Sequence, residues 1–293
     1  MMIDFHLHSK FSDGLDSPSQ LINQAINSNI GLKAIALTDH DTIEGLQEFI
    51  EYGEDKDIIL IPGVEISIKH ELEREIKDVH IIGLNIDFTS LKLIQRLKEQ
   101  LKGRIEQKEK ICNRLRDEFD YEITFEEVKK TAGSNSIGRP HIVEVLINNN
   151  PDRVKGKTKN DLFKMISLGG VAYVHREFKF TLEDAIELID SVGAIPILAH
   201  PGIYEVKNRK KFVEMCIKAG IKGIEIEYTY AKNRPFNGTE KANWAQNFLP
   251  DYYRKIADNF NLLKSGGSDY HGGKKGIEIG EARVPIEYLK YYI

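Results

Sequence analysis

The sequence predicts an α/β fold, a TIM-like (β/α)7 barrel of parallel strands with a helical insertion. Three observations predict it. Short, nearly continuous apolar runs alternate with helical patterns near both ends of the 293-residue chain, as expected for parallel strands buried on both faces. That rhythm breaks between about residues 88 and 180. His, Asp and Glu residues stand where the apolar runs end, on the side where such barrels build active sites.

The first run, residues 3–7 (IDFHL), reads as a strand. A helix over 17–29 follows, with Ser17 as N-cap and Pro18 at the first helical position. KAIALT (33–38) is the second strand, a helix spans about 42–54, and DIILIPGVEIS (57–67) and VHIIGLNI (79–86) are the third and fourth strands. Beyond residue 88, Leu91, Ile94, Leu97, Leu101, Ile105, Ile111, Leu115 and Phe119 recur near helical spacing among charged residues, and shorter helices are expected at about 124–131, 140–149 and 159–167. The barrel rhythm resumes with a helix over 181–194 that opens on a Thr181–Asp184 capping box. Three more strands are AIPILAH (194–200), GIEIEY (223–228) and LLKSGGSD (262–269), separated by helices near 205–219 and 239–259. The expected division is therefore a barrel over 1–87 and 181–293, with an insertion over 88–180 that recognises substrate phosphate.

Composition narrows the function. Apolar residues make up 41% and charged residues 29%, the mix of a soluble globular chain. With 41 basic and 45 acidic residues the net charge is −4, so any contact with a polynucleotide must be local. Two distant cysteines, Cys112 and Cys216, exclude a disulfide scaffold and a Cys-rich zinc site. The opening MMIDFHLHSK has no basic stretch followed by an apolar one, and no segment approaches the roughly 18 apolar residues of a membrane helix. A cytoplasmic, reduced protein without a membrane or an obligate protein partner is the expectation.

The histidines carry the chemistry. His6 and His8 alternate at the end of the first strand and so face the same way. Asp39 and His40 end the second strand, Glu65 lies near the end of the third, His80 is in the fourth and His200 ends the fifth. Glu225 and Glu227 belong to the sixth strand and are expected to point the same way, and Asp269 and His271 follow the seventh. Burying so many ionisable groups together is costly unless cations offset them. Imidazole and carboxylate donors suit Zn, Mn or Fe(II), and more than four of them exceed one tetrahedral site. Two or three divalent metal ions follow. His70, in the charged stretch KHELEREIKD, reads as a solvated loop residue.

The segments HLHSKFSDG, ALTDHD, GVEIS, HIIG, LAHPG and GSDYHG, in this order, resemble the motifs of the PHP family (polymerase and histidinol phosphatase) over 1–87 and about 181–293. The resemblance implies a distorted seven-stranded barrel that hydrolyses phosphoesters with up to three metals. It implies that His6, His8, Glu65 and Asp269 hold one metal. Glu65 would bridge to a second held also by His80 and His200, and Asp13, His40 and His271 would hold a third. Asp13 stands where some members have His. Asp39 would orient a metal-bound imidazole or serve as an occasional ligand, and the orienting role is also open to Asp4 if it is not a strand-end salt bridge. His200, Asp269 and His271 are the expected catalytic residues, with His200 or a metal-bound water as proton donor to the leaving group. Bound metals would lower the pKa of a water to give hydroxide near neutral pH.

The predicted insertion contains SIGRPHI and GGVAYVHREF. Arg139 and His141 flank Pro140 at a helix start, and Arg176 follows His175, so a phosphate can be met by a helix N-terminus and bidentate arginine. GRPH followed by AYV resembles a family branch of nucleoside 3′,5′-bisphosphate phosphatases and 5′–3′ exoribonucleases that trim short RNA. This resemblance implies that Arg139, His141 and Arg176 hold a 5′-phosphate, with His175 standing where the branch usually has Pro. The expected substrate is a nucleotide or a short single-stranded RNA. A groove bearing Lys274, Lys275 and Arg234 is a candidate path for further nucleotides. The alternatives are a histidinol-phosphate phosphatase, a metal-dependent amidohydrolase, which DVHIIGLNI disfavours for want of the bridging Lys, and a non-catalytic scaffold.

Overall fold

A computed structural model describes residues 1–293 apart from 134–135 and 274. Strands β1 (Met2–Leu7), β2 (Leu32–Leu37) and β3 (Ile59–Ser67) run parallel. β4 (His80–Leu84) is antiparallel both to β3 and to β5 (Ile195–Leu198). β6 (Gly223–Tyr228) and β7 (Leu263–Gly267) continue parallel from β5, and the short β8 (Val284–Pro285) lies antiparallel to β1. The result is one eight-stranded sheet, curled until its ends nearly meet.

This corrects the all-parallel expectation and the count of seven strands. The physical reason lies between β3 and β4, where residues 68–79 hold only one 3₁₀ turn, Leu72–Arg74. No helix is available there to carry the chain back across the sheet, so β4 returns antiparallel. Closure between β7 and β1 is made by backbone bonds from Asp269 N to His6 O (3.0 Å) and from His8 N to Tyr270 O (3.0 Å). Gly267 permits this approach, since a Cβ there would meet the His6 Cβ at 2.3 Å.

Helices α1 (Pro18–Ile26) and α2 (Leu46–Gly53) cover the first half of the barrel; α7 (Leu182–Ser191), α8 (Arg209–Ala219) and α9 (Ala242–Phe260) cover the second. α1 and α7 begin with the capping boxes expected at Ser17 and Thr181. The apolar run of β2 splits by alternation. Ile35 and Leu37 pack with Leu21, Leu46 and Phe49, whereas Ala34 and Ala36 pack with Ile82 and Ile197.

The interrupting stretch forms α3 (Leu91–Phe119), α4 (Phe125–Ala132), α5 (Arg139–Asn149) and α6 (Lys159–Ile166). Their apolar faces share a second cluster, including Ile111, Leu115, Val128, Ile142, Leu146 and Leu162. The first turns of α3 instead feed the main core through Leu93 and Leu97. Gly103 lets α3 press on the chain after α6, because a Cβ there would lie 2.6 Å from Phe178 O.

Candidate metal centre and adjoining anion cavity

The parallel strands deliver His6, His8, His40, Glu65, His200, Asp269 and His271 to one rim. His80 joins them because β4 is reversed: a residue at the start of an antiparallel strand lies beside the C-terminal ends of its neighbours. Two of these residues hold left-handed backbone conformations, His200 (φ 27°) and Asp269 (φ 56°). Such conformations cost on the order of 1–3 kcal/mol and persist where surrounding structure imposes them. Here His200 N donates to Glu225 Oε2 (2.7 Å) and Asp269 N donates to His6 O (3.0 Å).

Donor spacing tests whether these side chains fit a cation. His6 Nε2 and His8 Nε2 are 3.0 Å apart. They lie 3.5 and 3.4 Å from Glu65 Oε2, and 3.6 and 3.3 Å from Asp269 Oδ1. Ligands about 2.1 Å from one ion stand roughly 3.0–3.4 Å from each other, so these atoms fit one. His6 Nδ1 is 3.0 Å from Glu225 Oε1. A proton placed there leaves Nε2 as a lone pair facing the common point. His80 Nδ1 and His200 Nε2 each lie 2.9 Å from Glu65 Oε1. His40 Nδ1 lies 2.8 Å from Glu65 Oε2, yet both atoms are buried without a hydrogen-bond partner among the described residues, a further fit to an ion beside them. On the third side, His271 Nε2 is 3.2 Å and His40 Nε2 is 3.9 Å from Asp13 Oδ1. The His271 Nδ1 is fixed by the Asp269 carbonyl at 2.8 Å.

The electrostatics match a crowded ligand set. Burial opposes ionisation of Glu65, but His40, His80 and His6 hold its carboxyl well below the carboxylate range. Burial and the charges of His271 and His40 push His8 down to about 3.

Several candidate residues sit elsewhere than expected. Asp39 touches no imidazole; it accepts from Ser9 N (2.8 Å) and from the Ser9 and Ser12 hydroxyls, bracing the loop that carries Asp13. Asp4 accepts from Ser268 N (2.9 Å) and Gly280 N (2.6 Å), tying β1 to the chain after β7. Glu225 and Glu227 do not point the same way, because a register shift separates them in β6. Glu225 meets His6, and Glu227 meets Arg254 at 2.6 Å. Tyr228 was missed by sequence reasoning; its hydroxyl donates to Asp269 Oδ2 (2.7 Å). The Lys275 ammonium also donates to that oxygen (2.8 Å), and Lys274 lies outside the described residues.

A second cavity of about 340 Å³ adjoins this centre across His80 and Asp78. Arg104, Lys108, Arg139, Arg176 and Lys179 line it. Of the candidate phosphate ligands, Arg139, His175 and Arg176 are here. His141 is not: it is buried, and its Nδ1 accepts from Gly138 N (3.1 Å) at the start of α5. Arg139 donates to Ser167 Oγ (2.9 Å) and lies 3.5 Å from Asp78. His70 is no solvated loop residue. It lines the cavity and pairs with Asp78 at 3.2 Å, because the 3₁₀ turn folds the charged stretch back.

Beneath the cavity Asp41, fully buried, accepts from Arg104 and from Gln100 Nε2 (3.1 Å), with Arg176 Nη1 at 3.9 Å. Burial opposes its charge, but Arg104 and Arg176 hold the Asp41 carboxyl well below the usual range. Burial and Arg176 push the Lys179 amine down to about 7, and burial lowers Lys108 as well. The signal for these residues was the run of polar positions Gln100, Arg104, Gln107 and Lys108, spaced to share one face of α3. Arg176 Nη1 is buried and has no hydrogen-bond partner among the described residues.

A PHP-domain family model matches residues 4–169, running through α3–α6 as well as the first four strands. The chain belongs to the PHP family. It is 31% identical over 287 residues to a 5′-3′ exoribonuclease of Haemophilus influenzae, covering 95% of this chain and 93% of the relative. A 3′,5′-nucleoside bisphosphate phosphatase of Chromobacterium violaceum is 29% identical over 284 residues, covering 95% and 90%. A phosphoribosyl 1,2-cyclic phosphate 1,2-diphosphodiesterase of Eggerthella lenta is 28% identical over 288 residues, covering 97% and 100%. The fold superimposes on a Bifidobacterium adolescentis structure, provisionally described as a metal-dependent phosphoesterase, with a TM-score of 0.77, 24% identity and coverage of 99% and 94%. This PHP protein is thus a metal-dependent phosphoesterase. Among the described residues no helix is long and apolar enough to cross a membrane.

Proposed function

We propose that this phosphoesterase acts on substrates carrying two phosphates around one ribose: a nucleoside 3′,5′-bisphosphate, or a short RNA with a 5′-phosphate. The observation that carries the reading is the cationic cavity beside the histidine centre, with Asp78 and His80 lining both. The attacked phosphate sits among the histidines. The other is held by Arg139 and Arg176, whose guanidinium groups match phosphate oxygens in pairs. The names of the bisphosphate phosphatase and the cyclic-phosphate diesterase both describe a substrate with more than one phosphate.

Two or three Mn, Fe or Zn ions fit the ligand set. His6, His8, Glu65 and Asp269 would hold one, Glu65, His80 and His200 a second, and Asp13, His40 and His271 a third. Such ions supply positive charge to the phosphoryl oxygens and lower the pKa of a bound water. Glu225 and the Asp269 carbonyl orient the His6 and His271 rings, Tyr228 orients Asp269, and Lys275 adds charge beside it. The barrel and the α3–α6 segment divide this work, the first holding the reacting phosphate and the second the remote one.

The test is phosphate release from adenosine 3′,5′-bisphosphate by manganese-loaded protein, beside a short 5′-phosphorylated RNA and histidinol phosphate. Release from either of the first two is expected. Asp269→Asn and His8→Ala should abolish it with an unchanged circular dichroism spectrum. Turnover of histidinol phosphate alone would discard the two-phosphate reading, and activity in both variants would discard the centre.

A further inference from the structure

The two-phosphate reading leaves the nucleobase without a site, and the relatives differ on this point: one is named for a nucleoside bisphosphate and one for a phosphoribosyl cyclic phosphate. The cavity over the histidine centre is larger than the anion cavity, about 620 Å³, and its walls differ in chemistry. One side is the metal-ligand set. The same cavity is also lined by Phe163 from α6, Ile203 from the 3₁₀ turn after β5, and Arg234 from the loop after β6. The Arg234 guanidinium carbon sits 4.9 Å from the Phe163 ring centroid. Arg234 is exposed, and Phe163 and Ile203 are half-buried, so this apolar and cationic surface lies open to a ligand in the cavity.

A phosphate can use the Arg234 guanidinium but has no use for the ring and the aliphatic side chain beside it. A planar heterocycle can use ring and guanidinium alike, since bases stack on aromatic rings and on guanidinium planes whatever their sequence. We propose that Phe163, Arg234 and Ile203 form a nucleobase-stacking subsite that selects nucleotides over base-free sugar phosphates; this rests on the two-phosphate reading of the same centre. Phe163 comes from the helical segment and Arg234 from the barrel, so the subsite exists only where the two meet. Stacking on one ring tolerates any base, which suits an enzyme that would meet every nucleotide of a degraded RNA.

The test compares binding of adenosine 3′,5′-bisphosphate and ribose 3,5-bisphosphate by titration calorimetry, with kcat and KM measured beside it. The wild-type protein should bind the adenosine ligand about tenfold more tightly. Phe163→Leu, which keeps apolar volume for the second core cluster but removes the ring, should erase that difference by weakening the adenosine ligand alone. Phe163→Tyr should restore it. Uridine 3′,5′-bisphosphate should follow adenosine. Equal wild-type affinity for the two ligands, or an equal loss on both in Phe163→Leu, would overturn the subsite while leaving the two-phosphate reading standing. Binding of neither ligand would overturn that reading and the subsite with it.

Discussion

Asp41 is the residue on which the anion cavity's stability rests, and Asp41→Asn tests this. Among the described residues, every hydrogen-bond partner of its carboxylate donates: Ser67 N (2.8 Å) and Gln100 Nε2 (3.1 Å) to one oxygen, and Arg104 Nε (3.1 Å) and Nη2 to the other. Asparagine keeps the shape but offers one acceptor and one NH2. Whichever way the amide turns, its NH2 opposes a pair of donors. The substitution also removes the carboxylate that offsets Arg104 and Arg176 below the cavity. Breaking a buried ion pair from one side costs about 3–5 kcal/mol, or roughly 5–8 °C in Tm for a chain of this size at about 2.1 cal/mol/K of unfolding entropy per residue. Thermal unfolding followed by circular dichroism measures it. Inorganic phosphate should raise the Tm of the variant more than that of the wild type, because an anion in the cavity replaces the lost charge. A variant that unfolds within 1 °C of wild type would refute the argument.

Three further outcomes follow from the same geometry. Glu225→Gln should lower activity or metal affinity about 10–100-fold, since it loosens the His6 ring without removing a donor atom from the centre; metal titration with an activity assay reads it, and an unchanged affinity and rate would remove Glu225 from that role. Arg139→Ala should raise KM for 5′-phosphorylated substrates about tenfold or more, the loss of a charge-assisted phosphate contact of roughly 1.5–3 kcal/mol, with little change for a substrate lacking that phosphate. Affinity for the remote phosphate should fall as pH rises from 6.5 to 8.5. Lys179, pushed down to about 7 by burial and Arg176, is protonated and attractive at the lower end and neutral at the upper. Lys179→Gln should flatten this part of the KM profile relative to wild type.

The barrel's strands and the chemistry of its rim were legible because each strand is a short local pattern and its terminal His, Asp or Glu is a local motif. His6, His8, Glu65, His200, Asp269 and His271 could be assembled from such fragments. His80 could be named as a candidate but not placed, since its arrival at the rim depends on β4 running backwards. The expectation that Glu225 and Glu227 share a face failed because a register shift in β6 breaks strict alternation. His141 was read as a ligand from its neighbours GRPH, whereas its ring caps the helix that those residues begin.

The sequence by itself determined the α/β elements and the gathering of His, Asp and Glu residues at strand ends, both of which rest on residue type and short-range period. Only the tertiary structure decided what depends on segments far apart in the chain. Asp41 after β2 meets Arg104 of α3 and Arg176 beyond α6, and Phe163 of α6 meets Arg234 after β6. The physical reason is the same in each case. A charge or a ring acquires its role from the partner that desolvates or faces it, and no local pattern carries the identity of a partner brought in by packing.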